Sequence, residues 1–348
     1  MISARAAVLG GVCALAAACG GNPGPPETDT VNVCQPGTLR CNAAFMREVC
    51  ASDGTCTETE FRCARSVAVD DETGGYCITK GDGTYRCSGG NVTMPLPQDS
   101  YLRVQTSASG LIGLTADGRL VAPEMSLSSD LPPAAAFRAT NMGGYHTICA
   151  LFRDGSFGEN RSFPAERGVG VEFVTIPGKF SRAFCAYEGL TVGVLTDGTL
   201  LSSVGSANPG GDDWIDVALS DAVYCGLQAT GEIVCMDPLL TCGSTGITPC
   251  VGPALPSFTG GPYRSVTATA GAACALDAQG ALTCLRYDGA PMLADSGPYT
   301  AVEAGLSVVC GIRVDGSVAC FRHGGDSPIV NGDPGIFVPI ELPFGSDW

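Results

Sequence analysis

His146 and His323 are the only imidazoles in a chain of 348 residues. Acid–base or nucleophilic chemistry near neutral pH therefore has few places to sit. His323 is followed by Gly324, Gly325, Asp326 and Ser327, residue types that a hydrolase could use. A catalytic triad needs a third group and an oxyanion hole in register, and adjacency along the chain does not create that geometry. His146 stands just before an apolar run, where a hydrogen-bonded structural imidazole is the plainer reading. Neither G-x-S-x-G nor H-E-x-x-H nor a phosphate loop occurs. Asp212 and Asp213 lie in a Gly-rich connection and read as solvated. The expectation is no catalytic residue, no metal and no cofactor.

The other reactive side chains are 19 cysteines. No C-x-x-C spacing occurs, which argues against zinc ribbons and thioredoxin-like redox sites. Such a density survives where disulfides persist, outside a reducing cytoplasm. The first residues agree. Arg5, an apolar stretch from Ala6, and Ala16, Ala17 and Ala18 ahead of Cys19 read as an export signal over residues 1–18. Its end resembles a bacterial lipobox, which makes Cys19 the lipid-attachment residue. Residues 19–33 then form a Gly/Pro-rich tether. Gly20 after Cys19 suits the outer membrane of a Gram-negative bacterium, with the lipid as the only membrane contact.

A formal net charge of −16, with Lys80 and Lys179 as the only lysines, leaves no basic footprint for DNA or RNA. Instead, a short motif recurs. YCGLQATGEIVC (224–235), ACALDAQGALTC (273–284), VCGIRVDGSVAC (309–320) and YCITKGDGTYRC (76–87) share one frame. IGLTADGRLVA (112–122), CALFRDGSFGE (149–159) and VGVLTDGTLLS (192–202) are degenerate copies. With the first-cysteine slot as zero, copies start at 77, 112, 149, 192, 225, 274 and 310, a blade-sized period of about 40 residues.

Each copy reads as a β-hairpin with a three-residue loop at slots +4 to +6. The loop closes on Gly83, Gly118, Gly155, Gly198, Gly231, Gly280 and Gly316. A type I turn with a G1 bulge needs its last residue left-handed, which glycine adopts without a Cβ penalty. Asp82, Asp117, Asp154, Asp197 and Asp315 precede five of these glycines and read as turn formers.

Slots 0, +2, +8 and +10 share one hairpin face and are mostly apolar. Slot +1 is Gly or Ala in six copies, as though another sheet approached there.

Slots 0 and +10 are gained or lost as cysteine pairs, as a cross-strand bond would require. This predicts Cys77–Cys87, Cys225–Cys235, Cys274–Cys284 and Cys310–Cys320. Cys149 faces Glu159, so Cys185 is its best partner, and Cys242–Cys250 would close the long connection after the fifth copy. An aromatic 11 or 12 residues upstream (Tyr101, Phe137, Phe180, Trp214, Tyr263, Tyr299) marks a further strand, and four strands per unit are expected.

GGYHTICALFRDGSF (143–157) resembles the RCC1 repeat, G-x-x-H-x-x-A-L-x-x-D-G. The resemblance covers about residues 66–348 and implies a seven-bladed β-propeller. The W-G-x-N…G-Q-L-G tail of the family repeat is absent here. The chromatin and GTPase partners of the eukaryotic members do not suit an acidic, exported chain.

The expected architecture is all-β: a signal peptide (1–18), a tether (19–33), a cysteine-rich disulfide module (34–65) and an RCC1-like propeller (66–348). The pairing of Cys34, Cys41, Cys50, Cys56 and Cys63 in the module stays open. Three functions follow. The first is a monomeric envelope lipoprotein that binds an unidentified envelope or extracellular protein without catalysis. The second, suggested by secreted bacterial relatives, is an inhibitor of a cell-wall or β-lactam-cleaving enzyme. The third is a hydrolase using His323 and Asp326.

Overall fold

The computed structural model describes residues 39–51, 55–70, 75–89, 95–107, 110–125, 127, 130–142, 145–162, 173–176, 178–185, 191–202, 213–219, 224–236, 258–269, 271–286, 289–305, 307–323 and 337–340. All regular structure among them is β. A small sheet comes first, formed by β1 (Leu39–Cys41), β2 (Met46–Cys50) and β3 (Cys56–Arg62). Seven further antiparallel sheets follow in chain order, each an up-and-down meander that opens with its innermost strand. Their first strands are β4 (Ala64–Val69), β7 (Tyr101–Ser107), β10 (Ala134–Met142), β14 (Phe180–Cys185), β17 (Trp214–Leu219), β20 (Tyr263–Ala268) and β24 (Tyr299–Ala304).

The hairpin frame sets the register. Slot 0 faces slot +10 in every fully paired copy, as in Cys77↔Cys87, Cys225↔Cys235, Cys274↔Cys284 and Cys310↔Cys320. All seven turn glycines have φ between 77° and 95°. Each turn amide donates to the carbonyl three residues back, for example Gly231 N to Gln228 O at 2.8 Å. The turn aspartates accept from the strand that follows, as Asp154 Oδ1 does from Ser156 N at 2.9 Å. The Ser156 hydroxyl and amide hold the Asp154 carboxyl below its usual range. The Thr199 amide and hydroxyl do the same for Asp197.

Apolar side chains form seven separate clusters, one at each junction between neighbouring sheets. The last junction is the informative one. Val308, Cys310, Ile312 and Val318 of the final sheet pack on Val67, Val69, Tyr76 and Ile78 of the first, so the sheets close into a ring. Sheets covered on both faces and arranged around an axis make a β-propeller.

One backbone contact repeats at every junction. The first residue of each inner strand donates its N–H to the turn-glycine carbonyl of the preceding sheet. The pairs are Tyr101→Gly83 (3.3 Å), Ala134→Gly118 (2.8 Å), Phe180→Gly155 (2.7 Å), Trp214→Gly198 (3.2 Å), Tyr263→Gly231 (3.0 Å) and Tyr299→Gly280 (2.8 Å). The seventh, Ala64→Gly316 at 3.1 Å, joins the first sheet to the last. Most of these head peptides also accept from their own sheet's turn, as Pro262 O does from Ala278 N at 3.1 Å. Each head peptide that does so clamps two turns at once.

The small N-terminal sheet lies across this last seam. Cys41 N donates to Val314 O at 3.2 Å, and Arg47 Nε donates to Asp315 O at 2.9 Å. A Cys41–Cys63 disulfide holds the module against Gly316. Gly81 of the first sheet donates to Cys63 O at 3.2 Å, so the module touches both ends of the ring.

Three details refine the sequence reading. At slot +1, Ala150 and Ala275 pack in clusters with the preceding sheet, whereas the four glycines are met first by an aromatic of their own sheet. A Cβ on Gly113, Gly193, Gly226 or Gly311 would overlap Tyr101, Phe180, Trp214 or Tyr299, the aromatic of the same sheet's inner strand. That ring covers the glycine at van der Waals distance, leaving no room for a Cβ. In the third sheet the head position is Ala134, opposite Phe152, and Phe137 sits further along, opposite Ala150. Phe152, buried on the facing strand, supplies the bulk there. Fourth strands occur among the described residues in three sheets: β13 (Phe173–Ile176), β23 (Pro291–Asp295) and β27 (Phe337–Ile340). The remaining four show three strands among the described residues.

The turn glycines differ in how closely the next sheet approaches. A Cβ on Gly231 would lie 2.5 Å from Pro262 Cβ and 2.9 Å from Tyr263 N, whereas on Gly155 it would meet nothing nearer than 3.6 Å. Gly155→Ala should lose only the left-handed backbone cost, about 1–2 kcal/mol. Gly231→Ala should lose that and the latch as well, roughly 3 kcal/mol in all. Urea unfolding of the two variants reads the difference, and equal losses would contradict the latch.

Candidate functional site

The inner strands point their polar residues at the ring axis. Each strand has a register shift just after its head residue, for example between Tyr101 and Arg103. Beyond that shift, the residues opposite slots +2 and 0 face the axis. Arg103 lies opposite Leu114, Arg182 opposite Val194 and Asp216 opposite Leu227. Arg138 lies opposite Cys149, and Glu303 opposite Cys310. These five are the ionisable residues that line an axial cavity of about 110 Å³. Ser265, Thr267 and Phe184 line it as well.

One side of the cavity is a closed charge network. Glu303 Oε1 accepts from Arg103 Nη2 and from Arg138 Nη1, each at 2.9 Å, so two guanidinium groups share one carboxylate and one positive charge is left over. Arg138 also donates to Ala304 O at 3.0 Å, and its guanidinium stacks 3.9 Å from the Phe184 ring centroid. The network spans the second, third and seventh sheets. Next to it, Gln105 donates Nε2–H to Val69 O at 3.1 Å and to Ala139 O at 2.7 Å. Its Oε1 accepts from Ala139 N at 3.1 Å, which ties three inner strands together with one buried amide.

The other side is looser. Asp216 accepts from Val217 N at 3.0 Å and from Val266 N at 3.3 Å. Its carboxylate is therefore committed to the backbone, and Arg182 Nε stands 4.0 Å away. Burial pushes the Asp216 carboxyl above its usual range, although Arg182 and these amides pull it back. Arg182 Nη2 and Arg103 Nε are buried with no hydrogen-bond partner among the described residues.

Six disulfides occur among the described residues. Cys77–Cys87, Cys225–Cys235, Cys274–Cys284 and Cys310–Cys320 each bridge a hairpin, with Cα atoms 4.0–4.1 Å apart. Cys149–Cys185 links the third sheet to the fourth, and Cys41–Cys63 holds the N-terminal module. Cys19, Cys242, Cys250 and Asp326 lie outside the described residues. His323 ends β26 (Val318–His323), and His146 lies in β11 (Tyr145–Phe152). No group of three His, Cys, Asp or Glu among the described residues could hold a metal ion.

Sequence reasoning missed the axial residues. The available signal was a charge inside an otherwise apolar strand, as in YLRVQ, FSRAF and WIDVAL. Read alone, such a charge looks like an exposed strand face.

No family model matches the chain, and no curated protein matches it. Solved structures do. The chain is similar to the CRINKLY WD40 ectodomain of the Arabidopsis thaliana receptor kinase ACR4, with a TM-score of 0.51 and 13% identity over 75% of this chain and 96% of that one. It is similar to the entire ectodomain of the Physcomitrella patens receptor kinase CR4, with a TM-score of 0.52 and 14% identity over 75% of this chain and 73% of that one. The β-propeller domain of Myceliophteria thermophila Cps50 (Swd1) gives 0.50 and 10% identity over 75% and 97%. At these identities the likeness establishes the fold: the chain is a β-propeller.

Glu303→Gln should leave two buried guanidinium groups without a carboxylate. Breaking one side of such a buried network costs about 3–5 kcal/mol. Urea unfolding at neutral pH measures it, and a loss within about 0.5 kcal/mol would mean that the network is solvated.

Proposed function

We propose that this chain is an exported lipoprotein whose RCC1-like, seven-bladed propeller serves as a rigid protein-binding scaffold in the bacterial envelope, with no catalysis of its own. The observation that carries the reading is how the ring is fixed. Backbone latches recur at all seven junctions, and disulfides reinforce individual hairpins, one junction and the seam. Such a body holds its connecting loops in constant relative positions, which suits recognition by loops on a rigid frame.

The disulfides are consistent with an oxidising compartment. Among the described residues no helix is long and apolar enough to cross a membrane. In this reading the lipid on Cys19 is the attachment. The RCC1 motif around residues 143–157 and the count of seven hairpin frames favour that branch of the propellers. The ring surrounds its own side chains, and this leaves the ends and the inter-sheet connections as the surfaces for a partner. The partner is an envelope or extracellular protein, bound by a monomeric ring.

The anchor is directly testable. Wild-type protein expressed in a Gram-negative host should fractionate with the outer membrane, and its mature N-terminal peptide should carry acyl mass on Cys19. Cys19→Ser should be released to the soluble fraction with its fold unchanged. Wild-type protein found soluble, with an unmodified Cys19, would remove the lipoprotein part of the proposal.

A further inference from the structure

The axial cavity carries an excess of positive charge inside an acidic protein. Three arginines line it against two carboxylates, while the whole chain has a net charge of −16. Glu303 is consumed by Arg103 and Arg138. Asp216 is consumed by two backbone amides and stays 4.0 Å from Arg182. The three arginines therefore exceed the two carboxylates by one positive charge. Arg182 is the guanidinium with the loosest carboxylate contact, 4.0 Å to Asp216 against 2.9 Å for Arg103 and Arg138 to Glu303.

Its Nη2 is a buried donor without an acceptor among the described residues, and so is Nε of Arg103, whose side chain is only 9% exposed. Leaving such donors unpaired costs about 1–3 kcal/mol each, and more when the group is charged. Natural interiors rarely tolerate this without an ion or a water.

The space is suited to such an occupant. A water needs roughly 10–15 Å³ of cavity measured in this way. About 110 Å³ therefore admits several waters, or one oxyanion of phosphate size with its own hydration. The Arg182 side chain lines this cavity and is 17% exposed as a whole, while its Nη2 is buried. A guanidinium group presents parallel N–H donors that match two oxygens of a phosphate or carboxylate. Ser265 and Thr267 line the same wall, with the Ser265 side chain hydrogen-bonded to Asp216.

We propose that the axial cavity is a binding site for a small free oxyanion, phosphate or carboxylate in type, with Arg182 as its principal ligand. This does not rest on the protein-binding reading, because it concerns the ring axis and not the ends. Either can fail without the other.

The test is isothermal titration of the purified full chain at neutral pH with inorganic phosphate, with acetate, and with sodium chloride at matched ionic strength. Phosphate or acetate should bind saturably and chloride should not; the stronger of the two arms identifies the oxyanion class. Arg182→Gln should weaken binding by about tenfold or more, the equivalent of one charged hydrogen bond. Asp216→Asn removes the competing carboxylate and should tighten binding, which keeps the test decisive should Arg182→Gln fail to fold. Equal heats with chloride, unchanged affinity in folded Arg182→Gln, or unchanged or weaker affinity in Asp216→Asn would each overturn the proposal.

Discussion

A single peptide contact, repeated around the axis, governs this architecture. At each junction the N–H at the head of an inner strand reaches the carbonyl of the previous sheet's turn glycine. The glycine is needed twice over. Its φ of about +80° to +95° is open to residues without a Cβ, and at most junctions a Cβ would strike the incoming peptide. Turn chemistry and ring assembly are thus one constraint. At those junctions a turn that lost its glycine would damage its own hairpin and its neighbour's attachment together, whereas Gly155 has room for a Cβ.

Closure follows from the same contact, and among the described residues each sheet is built from consecutive strands. In this chain the last turn, at Gly316, receives Ala64 N, and the N-terminal module lies over the joint. The Cys41–Cys63 bond and the Arg47–Asp315 contact hold the module at the position where a ring would otherwise part. The axis is secured separately. Glu303 draws in arginines from two other sheets, and Gln105 bridges the strands on either side of its own. Short loops closed by disulfides add about 2–3 kcal/mol each by the chain-entropy estimate. The bridge between Cys149 and Cys185 closes a longer loop and ties two sheets directly.

Local patterns made the hairpins legible. Gly at slot +6, Asp before it and apolar residues at slots +2 and +8 are all determined within about ten residues of chain, so they survive in the sequence of each copy. The role of slot +1 was harder to see. Gly226 and Gly113 mark a close approach, but the sequence does not say whether a neighbouring sheet or an aromatic of the adjacent strand in the same sheet makes it. The third copy shows the limit of spacing. Phe137 sits at the expected distance, yet Ala134 holds the head position and Phe152 supplies the bulk from across the pair.

The axial charges were illegible for a different reason. Arg103, Arg138 and Glu303 are separated by up to 200 residues, and only the closed ring brings them to one carboxylate. Amide hydrogen exchange at Ala64 tests closure most directly. A closed ring requires this amide to be as protected as those of Tyr263 and Tyr299, which occupy the same position at interior junctions. Exchange at Ala64 at the rate of an unstructured peptide, with Tyr263 and Tyr299 still protected, would show that the first and last sheets are not joined.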